Sequence, residues 1–225
     1  MKFCIISILL CVVLSNAEYA LEKRSAHYRL VRYIMSDANQ NRFLDISSII
    51  DNCRRNGMTA ETLNKLKETF DDVELCAGKK QIYFVPEAEF IQNINDCSKE
   101  LVRLSKACLK ESQGYYPDLL VAAQNSVTHF MYANKDVVSS NEVQQCYRKV
   151  LKNNIARDKY RQCIGKASEG VDKVEIPHSK AEACRVLIKI SKCLPQMFTD
   201  QCDASSNLDK FLKAYDEVIA GPCSA

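Results

Sequence analysis

Cysteine is the residue type in this sequence with the clearest chemical role. Two of the twelve cysteines, Cys4 and Cys11, lie in an apolar N-terminal run, and the other ten follow it: Cys53, Cys76, Cys97, Cys108, Cys146, Cys163, Cys184, Cys193, Cys202 and Cys223. An even number of cysteines in a secreted chain is typical of a disulfide framework, so these ten predict up to five bridges. Zinc would favour closely spaced ligand pairs, whereas at least eight residues intervene between any two of these cysteines.

No other residues form a recognisable catalytic pattern. The three histidines, His27, His129 and His178, are far apart in the sequence. The chain contains no His-Glu-x-x-His helix, no Gly-x-Ser-x-Gly elbow and no glycine-rich phosphate loop. Since the remaining cysteines are expected in bridges, none is available as a nucleophile. We therefore predict a protein that is not an enzyme and that needs no cofactor.

One loop carries side chains that suit calcium. Its oxygen-bearing residues, Asp37, Asn39, Asn41 and Asp45, stand where an EF-hand loop places ligands, and residues 134–142 resemble the same loop with one residue deleted. However, Arg42 replaces the glycine of the sharp turn, and Ser48 replaces the closing glutamate. An ordinary polar loop between helices explains the pattern better, so we predict no metal site and keep a weak extracellular calcium site as an alternative.

The N-terminus predicts secretion. Residues 1–17 combine a basic start, an apolar run over 3–14 and small residues ending at Ala17, as signal peptides do. The dibasic pair Lys23 and Arg24 suggests that residues 18–24 are a propeptide, which would leave 25–225 as the mature protein. No later stretch is long and apolar enough to span a membrane. We therefore expect a secreted, extracellular protein without a membrane span.

The overall charge points to no polyanionic partner. The chain has 31 basic and 28 acidic residues, a formal net charge of +3. Charges of both signs are interspersed along the chain, so the sequence predicts binding neither to nucleic acid nor to an anionic membrane surface.

Apolar residues recur at helical spacing almost throughout, which predicts an all-α protein of nine to ten helices. The segment 97–109, CSKELVRLSKACL, recurs two residues shorter as 184–194, CRVLIKISKCL. Such an echo indicates an internal duplication. We therefore predict a disulfide-bonded helical bundle built from two related four-cysteine modules, 25–113 and 114–225, the second carrying a C-terminal helix.

Helix geometry limits how the cysteines can pair. Cys97 and Cys108 would lie roughly 16 Å apart on one helix, and Cys184 and Cys193 roughly 13 Å apart. Both separations exceed the reach of a disulfide bond. The first module then allows Cys53–Cys97 with Cys76–Cys108, or Cys53–Cys108 with Cys76–Cys97. We expect the second module to mirror the first and to leave Cys202 for Cys223, with a bridge that crosses this scheme as the alternative.

Residues 45–76, DISSIIDNCRRNGMTAETLNKLKETFDDVELC, carry a family resemblance. The Cys-basic-basic-Asn-Gly opening and the distance to the next cysteine resemble the insect 27 kDa haemolymph glycoproteins. The chain departs from a glycoprotein in having no Asn-x-Ser/Thr sequon. The resemblance implies an extracellular arthropod protein and carries no settled activity.

These observations together predict a secreted protein that acts by binding. The expected partner is a protein or a small apolar ligand held between amphipathic helices. A venom or salivary effector is one alternative, supported by the possible processing site and the many bridges. A weak calcium binder that uses the Asp37 loop is the other.

Overall fold

The computed structural model describes residues 46–80, 82–169 and 175–223. The expected signal peptide, the expected propeptide and the loop 37–45 lie outside these residues. The predictions made for Ala17, Lys23, Arg24 and the calcium loop therefore stay predictions.

Helices make up all the regular structure of the described residues, which confirms the all-α prediction. Nine helices have nine residues or more: α1 (Ile46–Arg55), α2 (Ala60–Ala77), α3 (Glu87–Cys108), α4 (Tyr116–Ala133), α6 (Asn141–Lys152), α7 (Asn154–Ala167), α8 (Lys180–Ser191), α9 (Cys193–Gln201) and α10 (Ser206–Ala220). Helix α5 (Lys135–Val138) has four residues. Short 3₁₀ helices lie at Glu111–Gln113, before α4, and at Gly221–Cys223, after α10.

The first half is built on α2 and α3, which pack along each other. The buried residues of α3 are Phe90, Ile94, Ser98, Leu101, Ser105 and Cys108, and those of α2 are Leu63, Leu66, Phe70, Val73 and Ala77. Both sets recur every three or four residues, so each helix buries one stripe and leaves charged residues on the other face.

Two disulfide bonds fix these helices. Cys53 of α1 is bonded to Cys108, and Cys76 of α2 to Cys97, with Cα–Cα distances of 5.0 and 5.7 Å. The structure thus selects one of the two pairings that the sequence allowed, and the pairing of Cys53 with Cys97 is wrong. The Asn56 amide supports the selected pairing, because it donates to the Cys108 carbonyl at 2.9 Å and so ties the end of α1 to the end of α3.

The second half departs from the first at its echo segment. In the first half both cysteines lie on the 22-residue helix α3. In the second half α8 ends at Ser191, and α9 begins at Cys193. Pro195 explains the break, because it has no N–H to donate to the Ser191 carbonyl and its ring would clash with that carbonyl in a continuous helix. The expectation of one helix through Leu194 was therefore wrong.

The cysteine pairing of the second half also differs from that of the first. The three bridges are Cys146–Cys202, Cys163–Cys193 and Cys184–Cys223, with Cα–Cα distances of 5.3, 5.7 and 5.4 Å. The predicted mirror of the first module and the predicted Cys202–Cys223 bridge are both wrong. Cys202 precedes and Cys223 follows the 15-residue helix α10, whose length of about 22 Å keeps the two apart.

Helix α4 joins the two halves, because it packs against α3 on one side and α10 on the other. An aromatic cluster marks the second contact. Phe130 of α4 lies 5.7 Å from Phe211 of α10, and Phe211 lies 5.7 Å from Phe198 of α9, measured between ring centroids. Tyr147 of α6 meets Phe198 at 6.3 Å. These rings form the centre of the second half's core.

Two connectors, each ending in an aliphatic residue followed by proline, also join the halves. The first, ending in Val85 and Pro86, forms turns over the described residues 82–84. Tyr83 lies in the left-handed region at φ 67°. Its backbone N–H donates to the Tyr132 hydroxyl, and its own hydroxyl donates to the Met131 carbonyl, both at 3.0 Å. The first connector is thus anchored on α4.

The second connector, with Ile176 and Pro177, is anchored on the first half. From the first half, Gln113 donates to the Ile176 carbonyl at 2.9 Å, and the Asn52 side-chain oxygen accepts the Ile176 N–H at 3.4 Å. Tyr115, at the start of the second module, donates its hydroxyl proton to the Pro177 carbonyl at 2.9 Å. Burial first, and the Glu182 carboxylate second, raise the pKa of Tyr115, so its hydroxyl stays a donor. Each connector therefore packs outside the sequence module to which it was assigned.

Candidate binding cleft

A cleft of about 570 Å³ opens between α7, α8 and α9. We call it the lysine cleft. Twelve residues line it: Lys159, Tyr160, Gln162, Cys163, Lys166 and Ala167 from α7; Lys189 from α8; Lys192, between α8 and α9; and Cys193, Gln196, Met197 and Asp200 from α9.

Helical spacing explains which side chains reach the cleft. On α7, Lys159, Cys163 and Lys166 follow one another at intervals of four and three residues, so they share one face. On α9, Cys193, Gln196 and Asp200 do the same. The Cys163–Cys193 bridge joins these two faces.

The floor of the lysine cleft is apolar. Tyr160 and Met197 are each only 4% exposed, and Cys193 is 1% exposed. Cys163 is partly buried, and its Sγ lies 4.0 Å from the Gln196 side-chain oxygen. A ligand in the cleft would therefore rest on an aromatic ring, a thioether and a disulfide bond.

The rim of the cleft is basic. Lys159, Lys166, Lys189 and Lys192 are exposed, and Asp200 supplies the single carboxylate of the lining. Within the described part of the chain none of these four lysines forms a salt bridge. Four unpaired ammonium groups around one concave surface produce a positive potential that attracts anions.

A second cleft, of about 540 Å³, lies between α3, α4 and α10 and differs in charge. Glu87 and Glu217 line it, together with His129. The His129 Nδ1 is 2.6 Å from a Glu87 carboxylate oxygen, so the exposed imidazole is already engaged by the protein. Among the described residues, the lysines of the lysine cleft form no such internal pair.

The residues that the sequence singled out are dispersed in the structure. All ten cysteines lie in bridges. His129 contacts Glu87, whereas His178 is 3.5 Å from the Ser112 hydroxyl and 3.7 Å from Glu175. His27 lies outside the described residues. Among the described residues, no three His, Cys, Asp or Glu side chains are grouped as metal ligands would be.

The sequence did contain a signal for the lysine cleft. Residues 141–201 hold twelve Lys and Arg against seven Asp and Glu, a net charge of +5, while the rest of the chain holds 19 against 21, a net charge of −2. The whole-chain value of +3 hides this difference. A count by segment would have placed the positive charge on the helices that form the cleft.

No helix in the described ranges has both the length and the apolar composition needed to cross a membrane. No protein-family model, curated protein or solved structure matches this chain.

Proposed function

We propose that this is a secreted extracellular protein that acts by binding, and that the lysine cleft holds a small amphiphilic anion. The observation that carries the proposal is the combination of an apolar floor with four unpaired lysines at the rim. A ligand with an aliphatic or aromatic body and an acidic headgroup would satisfy both parts. This proposal narrows the apolar ligand expected from the sequence to one that also carries negative charge.

The five disulfide bonds support the extracellular location. Bridges in such number form and persist in oxidising compartments. They also favour a binding role for this cleft, because the Cys163–Cys193 bridge fixes the spacing of its two walls. A pre-formed site loses less conformational entropy when a ligand binds.

The size and shape of the lysine cleft favour a small ligand over a flat macromolecular surface. Its volume of about 570 Å³ lies in the range of roughly 300–1,000 Å³ that small-molecule sites occupy. Long lysine side chains can lay their apolar stems along a ligand while the ammonium groups contact its headgroup. The rim can therefore contribute both contact area and charge.

Calorimetric titration with dodecanoate, dodecan-1-ol and dodecyltrimethylammonium tests the proposal, because the three probes share a chain and differ in headgroup charge. We expect dodecanoate to bind most tightly and the cationic probe least. Lys189→Gln with Lys192→Gln should weaken dodecanoate binding about tenfold, equivalent to about 1.4 kcal/mol. The matched control, Lys67→Gln with Lys213→Gln, removes two exposed lysines from α2 and α10 and should leave binding unchanged.

Equal affinities for the three probes would contradict a role for the lysines. If the cleft variant and the control variant bind dodecanoate equally tightly, the ligand binds outside the lysine cleft. Circular dichroism melting of both variants checks that any loss of binding is not a loss of fold.

A further inference from the structure

We propose that the Cys163–Cys193 bridge is a thiol-exchange site for small acidic thiols, at which Cys163 is converted to a mixed disulfide. This inference does not depend on the identity of the ligand proposed above. It rests on the access to this bridge and on the charge that surrounds it.

Access to the bridge comes from the lysine cleft. Cys163 is partly exposed and lines the open cleft, whereas Cys193 is 1% exposed. A small molecule in the cleft therefore approaches the Cys163 sulfur. The Cys53–Cys108 bridge offers no such approach, since its two residues are 0% and 3% exposed.

Charge then selects which thiols react. The attacking species in disulfide exchange is a thiolate, which is negatively charged. The unpaired Lys159, Lys166, Lys189 and Lys192 raise the local concentration of anions around the bridge. A thiol that carries a further acidic group, such as a sulfonate or carboxylate, gains most from this attraction.

The Cys76–Cys97 bridge provides an internal comparison. Both of its cysteines are also partly exposed. Asp72 lies one helical turn before Cys76, and Glu100 lies one turn after Cys97, so carboxylates share the helix faces of this bridge. Lys80, Lys99 and Arg103 are already paired with Glu89, Asp96 and Glu100, which leaves Lys79 as the one nearby basic residue without an ion pair among the described residues. An acidic thiol should therefore gain less attraction here than among the four lysines of the cleft.

The exchange balances without a further reactant. The thiolate of the small thiol attacks the Cys163 sulfur, a new S–S bond forms, and the Cys163–Cys193 bond breaks with Cys193 leaving as a thiolate. Cys193 then takes a proton from water. The thiolate of a second small thiol can then attack the small-thiol sulfur of the mixed disulfide. This step releases a small-molecule disulfide and leaves Cys163 as a thiolate, which takes a proton from water.

The test compares 2-mercaptoethanesulfonate with cysteamine, two thiols with the same two-carbon chain and opposite charge. The protein is treated with each thiol, free cysteines are alkylated at intervals, and mass spectrometry reports the opening of each bridge. The readout is the rate for Cys163–Cys193 divided by the rate for Cys76–Cys97, which cancels the intrinsic reactivity of the thiol.

We expect this ratio to be about tenfold higher with the sulfonate than with cysteamine at low salt. Screening should reduce the difference to about twofold or less at about 0.5 M salt. Lys189→Gln with Lys192→Gln should lower the ratio for the sulfonate, and Lys67→Gln with Lys213→Gln should not. The salt dependence tests the proposal on the unaltered protein, so it does not depend on how the variants fold.

The proposal is overturned if the two thiols give the same ratio at low salt. It is also overturned if the sulfonate opens Cys76–Cys97 before Cys163–Cys193, or if no adduct forms on Cys163.

Discussion

Gln113 shows at the scale of a single residue how the two halves are held together. Its side chain is fully buried and donates to the Asn52 side-chain oxygen at 3.2 Å and to the Ile176 carbonyl at 2.9 Å. The Ile176 backbone N–H donates to the same Asn52 oxygen at 3.4 Å. One amide thus satisfies buried polar groups from α1 and from the second connector.

Replacing Gln113 tests this junction. Gln113→Leu keeps a side chain of similar size but removes the donor, so the Ile176 carbonyl would lose its partner in a buried site. We expect a loss of about 2 kcal/mol in the free energy of unfolding, measured by urea denaturation with the disulfide bonds intact. Gln145→Leu, at an exposed position of α6, is the control. A loss for Gln113→Leu no larger than that of the control would show that the junction contributes nothing.

At the scale of the elements, the helix starts show what residue patterns can and cannot locate. The sequence predicts helix caps at Thr59, Ser139 and Ser179, because Ser and Thr are preferred N-cap residues and a Glu follows Ser139 and Ser179 by three positions. The Thr59 hydroxyl accepts the Thr62 N–H at 3.3 Å, and the Ser179 hydroxyl accepts the Glu182 N–H at 3.2 Å, which confirms two of the caps. The third is wrong by one residue, because Ser140 is the N-cap of α6 and accepts the Val143 N–H at 3.4 Å.

The adjacent serines before α6 give a matched pair of substitutions. Ser140→Ala removes the hydroxyl that accepts a helix-start N–H, so we expect a loss of about 1 kcal/mol in unfolding free energy. Ser139→Ala should cost much less, since the exposed Ser139 hydroxyl only donates back to the Lys135 carbonyl, which already accepts the Ser139 N–H. Thermal or urea unfolding of the two variants measures the difference. The reverse order of stability would restore Ser139 as the cap.

The start of α6 also carries a perturbed carboxylate. A hydrogen bond from its own backbone N–H first, and one from the Asn207 side chain second, lower the pKa of Glu142. The carboxylate is therefore ionised near the positive end of the α6 dipole, where negative charge is favourable.

Helix periodicity predicted the elements of the fold but not the break in the second echo segment. The apolar stripe continues through Leu194, so a reading by periodicity carries one helix past Lys192. Pro195 was the available signal, and it has no counterpart in the first half, where Lys110 follows Leu109. The distance between cysteines along one helix could exclude some pairings, but it could not select one pairing among the rest.

At the scale of the whole molecule, charge is distributed unevenly. Helix α2 carries five acidic and two basic residues, whereas residues 141–201 carry a net charge of +5. The lysine cleft lies within that basic segment. Counting charged residues by segment would have shown this uneven distribution from the sequence. Only the folded chain brings the lysines of α7 and α8, and Lys192 between α8 and α9, to one opening.

The connectors make the two halves interdependent. The first connector is held by Met131 and Tyr132 of α4, and the second by Gln113 and Tyr115. The duplication that the echo segments predict stays a prediction. The cross-linking of the halves differs: the first half has two bridges among its own four cysteines, and the second also uses Cys202 and Cys223, which bond to Cys146 and Cys184.

The Cys163–Cys193 bridge carries the proposed site, because it joins the α7 and α9 faces of the lysine cleft. Digestion with trypsin and endoproteinase Asp-N without reduction, followed by mass spectrometry, identifies the partner of each cysteine. Arg185, Lys189 and Lys192 allow cleavage between Cys184 and Cys193, and Asp200 allows cleavage between Cys193 and Cys202. We predict linked peptides for Cys163–Cys193, Cys146–Cys202 and Cys184–Cys223. A peptide that links Cys163 to Cys184 would show that the bridge of the cleft does not form, and one that links Cys202 to Cys223 would overturn the pairing of the second half.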